Sequence, residues 1–266
     1  MTAATFEAFV APWRNIFPAL ALAELYASPD EAARLLARSV LVMEWCDAIW
    51  RASDERVTTT KLGWWAGEWE RILLGQGQHP ISAHLQVASV AAPLKNLLRE
   101  REGSEIAHWS DRHVAYAEIG AELAAAFAPA SKSSSQKQAP EQPQVAAQCW
   151  TALVASRHLA AVWSAHTAAL TSAPLDARAR HQLRPDGAEP VSAQCIAVEG
   201  ADQIGGALLD QFQCTPASRW SQQRGARVLT VIALRELRQL GKPESRLDAW
   251  GNGCVAWRTA RGVGGQ

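Results

Sequence analysis

The stretch from Ser28 to Trp50 restricts the fold more than any other part of the chain. Ser28-Pro29-Asp30-Glu31 supplies a capping serine, a proline at the first helical position and a glutamate two residues later, the pattern of a capping box. From there to Trp50 the residues are apolar on nearly every side: Leu35, Leu36, Val40, Leu41, Val42, Met43, Trp45 and Ile49. A helix that is apolar all round lies at the centre of its domain. Two carboxylates interrupt it, Glu44 and Asp47, three residues apart and therefore on neighbouring positions of one face, with Asp47 within reach of Arg51. Buried charges need partners, so the pair is either a structural ion-pair station or the variant of an acidic site.

A second helix follows. Leu62, Trp65, Trp69 and Ile72 form one apolar stripe. Lys61, Trp64, Glu68 and Arg71 lie on another face, with Glu68 and Arg71 spaced to pair. Gly63 and Gly67 share a third face and predict close approach by another backbone. Five of the chain's twelve tryptophans fall between Met43 and Pro80. On helical faces alone this is a packing helix. Whether Trp64 meets a cavity or another helix decides whether the double tryptophan is a site or core.

A carboxylate-bearing helix, then K-L-G-W-W-x-x-E-W from Lys61 to Trp69, then G-x-x-x-H-P from Gly75 to Pro80, resembles the squalene/phytoene synthase family. Leu247-Asp248-Ala249-Trp250 and Val255-Ala256-Trp257-Arg258 resemble the way such chains end. The resemblance covers roughly residues 30 to 85 and the C-terminal run. It implies an all-α fold, a single isoprenoid-synthase-like helical bundle around an apolar cavity. Active members condense two prenyl diphosphates, using Mg2+ held by two D-x-x-x-D motifs on facing helices. Hard divalent cations take oxygen ligands, and carboxylates one turn apart converge on one ion. The metal stabilises departing diphosphate, and apolar walls keep water from the carbocation. Carried onto this chain, the resemblance implies Glu44 and Asp47 as metal ligands, Arg38 and Lys61 (with the basic loop below) as diphosphate ligands, and Trp64, Trp65 and Trp69 as cavity aromatics.

The chain departs from that pattern. Glu44-x-x-Asp47 is not D-x-x-x-D, and Asp54 and Glu55 fall beyond the helix end. The helix expected to carry the second motif, Val145 to Ser172, has no Asp or Glu. Glu199, Asp202 and Asp210 sit beside Gly200, Gly205 and Gly206 and match the motif poorly. A branch of the family that has lost the motifs serves in the assembly of respiratory complex I, and this chain resembles that type.

Composition agrees with helices. Apolar residues make up 48% of 266, enough for a sizeable single core, with few β-branched runs. Net charge is zero, with a slight acidic excess in the first half and a basic one in the second. No concentrated basic face points to nucleic acid. No run approaches a membrane span, which leaves peripheral membrane contact open, and the first 26 residues do not read as a secretory leader. Cys46, Cys149, Cys195, Cys214 and Cys254 are scattered singly, the usage of reduced thiols in a cytoplasmic protein.

Elsewhere, Ile81 to Arg101 reads as a helix kinked near Pro93, and Glu105 to Phe127 as another. His108 and His113 are splayed by their spacing of five, which argues against a metal there with Asp111. Residues 129–144 form a Ser-, Gln- and Pro-rich loop inside one domain spanning residues 1–266. His158 and His166 share a face of the long helix that follows. Arg178, Arg180, His181 and Arg184 make residues 174–190 a basic connection, most simply a solvated one. Thr215-Pro216 opens a helix ending at Gly241-Lys242-Pro243, and Glu244 to Arg261 is the last helix.

Three readings follow. One is a squalene/phytoene-synthase-like pseudoenzyme that binds a prenyl diphosphate or other lipid chain, its condensation activity lost or altered. The second is an active prenyltransferase of isoprenoid biosynthesis, Mg2+-dependent, with Glu44 and Asp47 as atypical ligands. The third is a non-catalytic helical scaffold or assembly factor.

Overall fold

The structure, a computed structural model, describes residues 3–85, 106–128, 143–181, 190–215 and 224–240, with Val87, Leu97, Arg99, Ala256 and Thr259 as single positions. The regular elements among the described residues are all helices, with no strand among them. The elements are α1 (Ala3–Ile16), α2 (Ala19–Tyr26), α3 (Pro29–Trp50), α4 (Glu55–Leu73), a 3-10 turn (Ser82–His84), α5 (Trp109–Ala126), α6 (Pro143–Trp163), α7 (Thr167–Thr171), α8 (Leu175–Arg180), α9 (Pro190–Cys214) and α10 (Arg224–Gln239).

The start of α3 is as its sequence reads. Ser28 Oγ accepts from Glu31 N at 3.4 Å, and Glu31 Oε2 accepts from Ser28 N at the same distance. This satisfies two donors that the helix cannot satisfy itself. From Leu35 to Trp50 nearly every residue is buried, Glu44 and Asp47 being only partly so. Central, too, is α6, which packs against α3, α5, α9 and α10 and is buried from Val145 to Val162 almost without interruption. Its small residues allow that. At Gly120 of α5 an added Cβ would lie 2.6 Å from the Ala147 carbonyl oxygen of α6, so only glycine lets the two backbones meet. Tryptophans tie the first half to the second. Trp45 and Trp69 rings are 5.4 Å apart, Trp69 and Phe127 5.8 Å, and Phe127 and Trp150 5.3 Å.

Several expectations are corrected. Gly63 and Gly67 are not a helix-crossing point. A Cβ on Gly63 would meet nothing within 4 Å, and one on Gly67 only the end of the Arg71 side chain at 3.6 Å. The helix expected from Ile81 is instead the Ser82–His84 turn followed by extended Leu85, because Ser82 is bonded back to α4. The helix expected over residues 145–172 ends at Trp163, where Ala165 takes a φ of 57° and the chain restarts as α7. His158 and His166 therefore do not share a helix. The helix expected from Glu105 starts at Trp109, with Asp111 accepting from His108 N at 3.2 Å.

Residues 129–142 of the expected loop lie outside the described residues, and its last two, Pro143 and Gln144, already belong to α6. Most of the expected helix around Pro93, the Pro216 helix start, Arg184, the final helix apart from Ala256 and Thr259, and Cys254 also lie outside them. Of the other cysteines, Cys46 and Cys149 are buried and Cys195 and Cys214 exposed, all unbridged.

Candidate functional site

The Gly75–Leu85 segment is folded onto α4 by one carboxylate. Gly75 adopts a φ of 72°, where glycine is strain-free, and turns the chain back after α4. Glu68, with no exposed side-chain surface, then accepts from Gln78 N at 2.6 Å, His79 N at 2.7 Å, Ser82 Oγ at 2.6 Å and Arg71 Nε at 2.8 Å. Burial alone raises its pKa, but the donors, led by His79 N and Ser82, outweigh burial and hold it below the usual carboxylate range. The glutamate of K-L-G-W-W-x-x-E-W and the G-x-x-x-H-P run are thus two halves of one fastening. Its product is the position of His79. That ring lies 4.8 Å from Trp65, 5.5 Å from Trp64 and 4.3 Å from Phe9 of α1. Burial depresses the His79 pKa, with Glu68 opposing, and Nδ1 accepts from Ile81 N, as a neutral ring does.

Between α1, α3 and α4 the chain leaves a cleft of about 610 Å³. Arg56, Val57, Thr60, Lys61, Trp64 and Trp65 line it from α4. Phe9 of α1, Glu44 of α3 and His79 close the other sides. Lys61 Nζ is 2.5 Å from Glu44 Oε2. Trp64 is 46% exposed and Val57 55%, so large apolar groups are left in water at its edge. Arg71 stands 6.0 Å from the Trp64 ring.

Sequence reasoning named Glu44, Lys61, Trp64 and Trp65, and the structure brings these four into the cleft. The other three lie elsewhere. Trp69 is 1% exposed and part of the core. Arg38 is buried, donates to the Phe127 carbonyl at 2.7 Å and lies over that ring at 5.4 Å. Asp47 points toward α6, where Arg157 Nη2 reaches Oδ1 at 2.6 Å, with Arg51 weakly beside it at 4.0 Å. Phe9, Arg56, Val57, Thr60 and His79 were missed. His79-Pro80 was the one available signal, since a histidine fixed next to a buried glutamate and two tryptophans is held in a defined place.

Two other polar groupings are structural. Tyr116 Oη bonds to His158 Nδ1, while His158 Nε2 lies 2.7 Å from Ser172 Oγ and 3.0 Å from the Ala169 carbonyl. Arg112 donates to the Ser172 carbonyl. All of these side chains are buried, and His158 is held neutral, its pKa pushed down to about 3 by burial and then by Arg112. Two groups of the basic connection are paired within the chain: Arg180 with Asp176 and Glu199, and His181 with Glu199 at 3.0 Å. His108 bonds to Asp176 at 2.8 Å.

No family model matches the sequence, and no curated protein matches it. The structure is similar to the crystal structure of a dehydrosqualene synthase in complex with ligand, with a TM-score of 0.63 and 11% identity over 98% of this chain and 96% of that one. The chain has a squalene/phytoene-synthase-like fold. At that identity the likeness is one of fold alone.

Such a fold raises the question of magnesium, and the described residues do not fit a two-carboxylate site. Glu44 and Asp47 diverge, one toward Lys61 of α4 and the other toward Arg157 of α6, so each carboxylate already holds a cationic side chain. On α9, Glu199 is taken by Arg180 and His181, and Asp202 and Asp210 are exposed. Among the described residues no group of three His, Cys, Asp or Glu side chains converges as metal ligands do. No helix among them is long and apolar enough to cross a membrane.

Proposed function

We propose that the protein is a squalene/phytoene-synthase-like binder of a prenyl diphosphate or other lipid chain, in which the usual metal-dependent condensation is lost or altered. The Arg157–Asp47 ion pair between α6 and α3 carries this reading. An ionisation of diphosphate assisted by metal needs carboxylates free to hold the ion. The Arg157 guanidinium, always charged and 2.6 Å from Asp47, occupies that carboxylate and would have to be displaced before it could hold a metal ion. What supports lipid binding is the fold and an apolar, aromatic-lined cleft of a size that suits a small amphiphile.

The test is isothermal titration of the full chain with farnesyl and geranylgeranyl diphosphate, with and without magnesium. The expected result is saturable binding indifferent to magnesium and no inorganic diphosphate released over hours. Magnesium-dependent binding with turnover would instead establish an active prenyltransferase. No binding in either condition would leave a helical scaffold.

A further inference from the structure

The cleft between α1, α3 and α4 carries a definite charge pattern. Lys61 and Glu44 cancel; the Arg56 guanidinium makes no ion pair among the described residues, while its backbone N–H donates to Asp54 Oδ1 at 2.8 Å. Among the residues that line the cavity one positive charge is left over, at Arg56, with Asp54 just outside it; the other walls are Phe9, Val57, Thr60, Trp64, Trp65 and a neutral His79. A diphosphate, with two or more negative charges, is held here less well than a monoanion: one surplus cation faces either head, and the Glu44 carboxylate repels the more highly charged one more strongly. A singly charged anion matches. Exposed Trp64 and Val57 at the edge are surfaces that a hydrocarbon chain would cover. Lys61 and Arg56 also carry long apolar stems that lie along such a chain while their charged ends reach its head.

We infer that this cleft binds a fatty-carboxylate type of amphiphile, a hydrocarbon chain with a single negative head, placed with the chain against Trp64 and Trp65 and the head at Arg56 and Lys61. The inference rests on the lipid-binding reading and adds to it a place and a head group. No metal takes part in it. The Glu44–Lys61 pair then has a function in selectivity: it keeps Lys61 in position and offsets its charge, so that a monoanion is preferred over a dianion.

The experiment is titration of the full chain with dodecanoate and with dodecyltrimethylammonium, which share a chain and differ in head charge. Dodecanoate is expected to bind once per chain and dodecyltrimethylammonium at least about tenfold more weakly. Arg56→Glu should weaken dodecanoate by about tenfold or more; Arg56 is exposed in the first turn of α4, where a glutamate suits the helix dipole, so the fold is kept. Thr60→Trp, also at an exposed position, should fill the cleft and abolish binding, with helix content checked by circular dichroism. Equal affinity for the two amphiphiles, or dodecanoate binding unchanged in either variant, would overturn the site. Prenyl diphosphate binding that survives both variants while dodecanoate fails to bind would overturn the site and leave the broader lipid-binding reading in place. Dodecanoate binding lost in both variants, with no prenyl diphosphate bound by the parent chain, would support the site and remove the prenyl ligand.

Discussion

Glu68 fastens the Gly75–Leu85 segment to α4 through its side chain alone. Four donors converge on one buried carboxylate, and three of them belong to the segment that carries His79. Glu68→Gln keeps the shape but replaces an oxygen that accepts from Arg71 with an amide that either donates toward it or turns a donor on the Gln78 and His79 amides. Charge-assisted bonds of this kind are worth about 2 kcal/mol each, and the expected loss is about 2–3 kcal/mol in urea unfolding. An unchanged midpoint would show that the loop is held by other contacts. Asp47 and Arg157 make a different argument. Arg157→Met leaves a carboxylate that is 22% exposed with only the weak Arg51 contact. The expected cost is about 2 kcal/mol, below the full penalty for breaking a buried pair because Asp47 keeps some water. Asp47→Leu combined with Arg157→Met should recover most of it, and a double-mutant cycle reads the coupling directly. If the double variant is as unstable as the sum of the singles, the pair does not act as a pair.

At the scale of elements, glycines separate two kinds of helix. Gly120→Ala should destabilise by about 2 kcal/mol, since the added methyl has the Ala147 carbonyl and Thr151 in its way and both α5 and α6 would have to shift. Gly63→Ala has open space and an ordinary helical backbone, and should stabilise by about 1 kcal/mol. Thermal unfolding of the two variants should thus move in opposite directions. The contrast also explains what the sequence disclosed. The start of α3 was legible because a cap is local, and the Trp65–Trp69 stripe because helical period is local. Gly63 and Gly67 were misread because a glycine pair carries no sign of whether a partner faces it. The stop at Trp163 was invisible because it is made by Ala165, an ordinary residue at positive φ, and by the buried contacts of His158 and Ser172. In the cleft, Lys61, Trp64, Trp65 and Glu44 could be named from one stretch of chain, whereas Arg56, Val57 and Thr60 of the same helix belong to no motif and were missed. Phe9 could not, since it comes from a separate helix, and neither could the Asp47 partner Arg157, 110 residues away.

The whole molecule sums these groups in its response to pH. His158 has its pKa depressed to about 3 inside the core, first by burial and then by Arg112, whereas in an unfolded chain it titrates near its ordinary value of 6.5. Below that value the unfolded chain takes up a proton that the folded chain refuses. Its contribution to stability is therefore complete above about pH 6.5 and is lost as pH falls toward about 3. His79, His113 and His166, also depressed by burial, act in the same direction. Glu236 of α10 opposes them. Burial raises its carboxyl to about 7, against the pull of Arg157, so the folded chain holds a proton there that the unfolded chain releases. That contribution is complete below its ordinary 4.5 and is lost as pH rises through about 7. Stability should therefore decline on the acid side and lose a smaller amount approaching neutrality, with a broad maximum between. Unfolding midpoints in urea from pH 4 to 9 would trace this curve. His158→Gln should lower it everywhere through the lost core contacts and also flatten the acid limb by about 1.4 kcal/mol per pH unit, the weight of one proton. Glu236→Gln should remove the decline toward pH 7 and leave the acid limb intact. A His158→Gln curve running parallel to the parent would mean that the acid limb belongs to the paired carboxylates, Glu68 foremost, whose depressed pKa gives a loss of the same sign at lower pH.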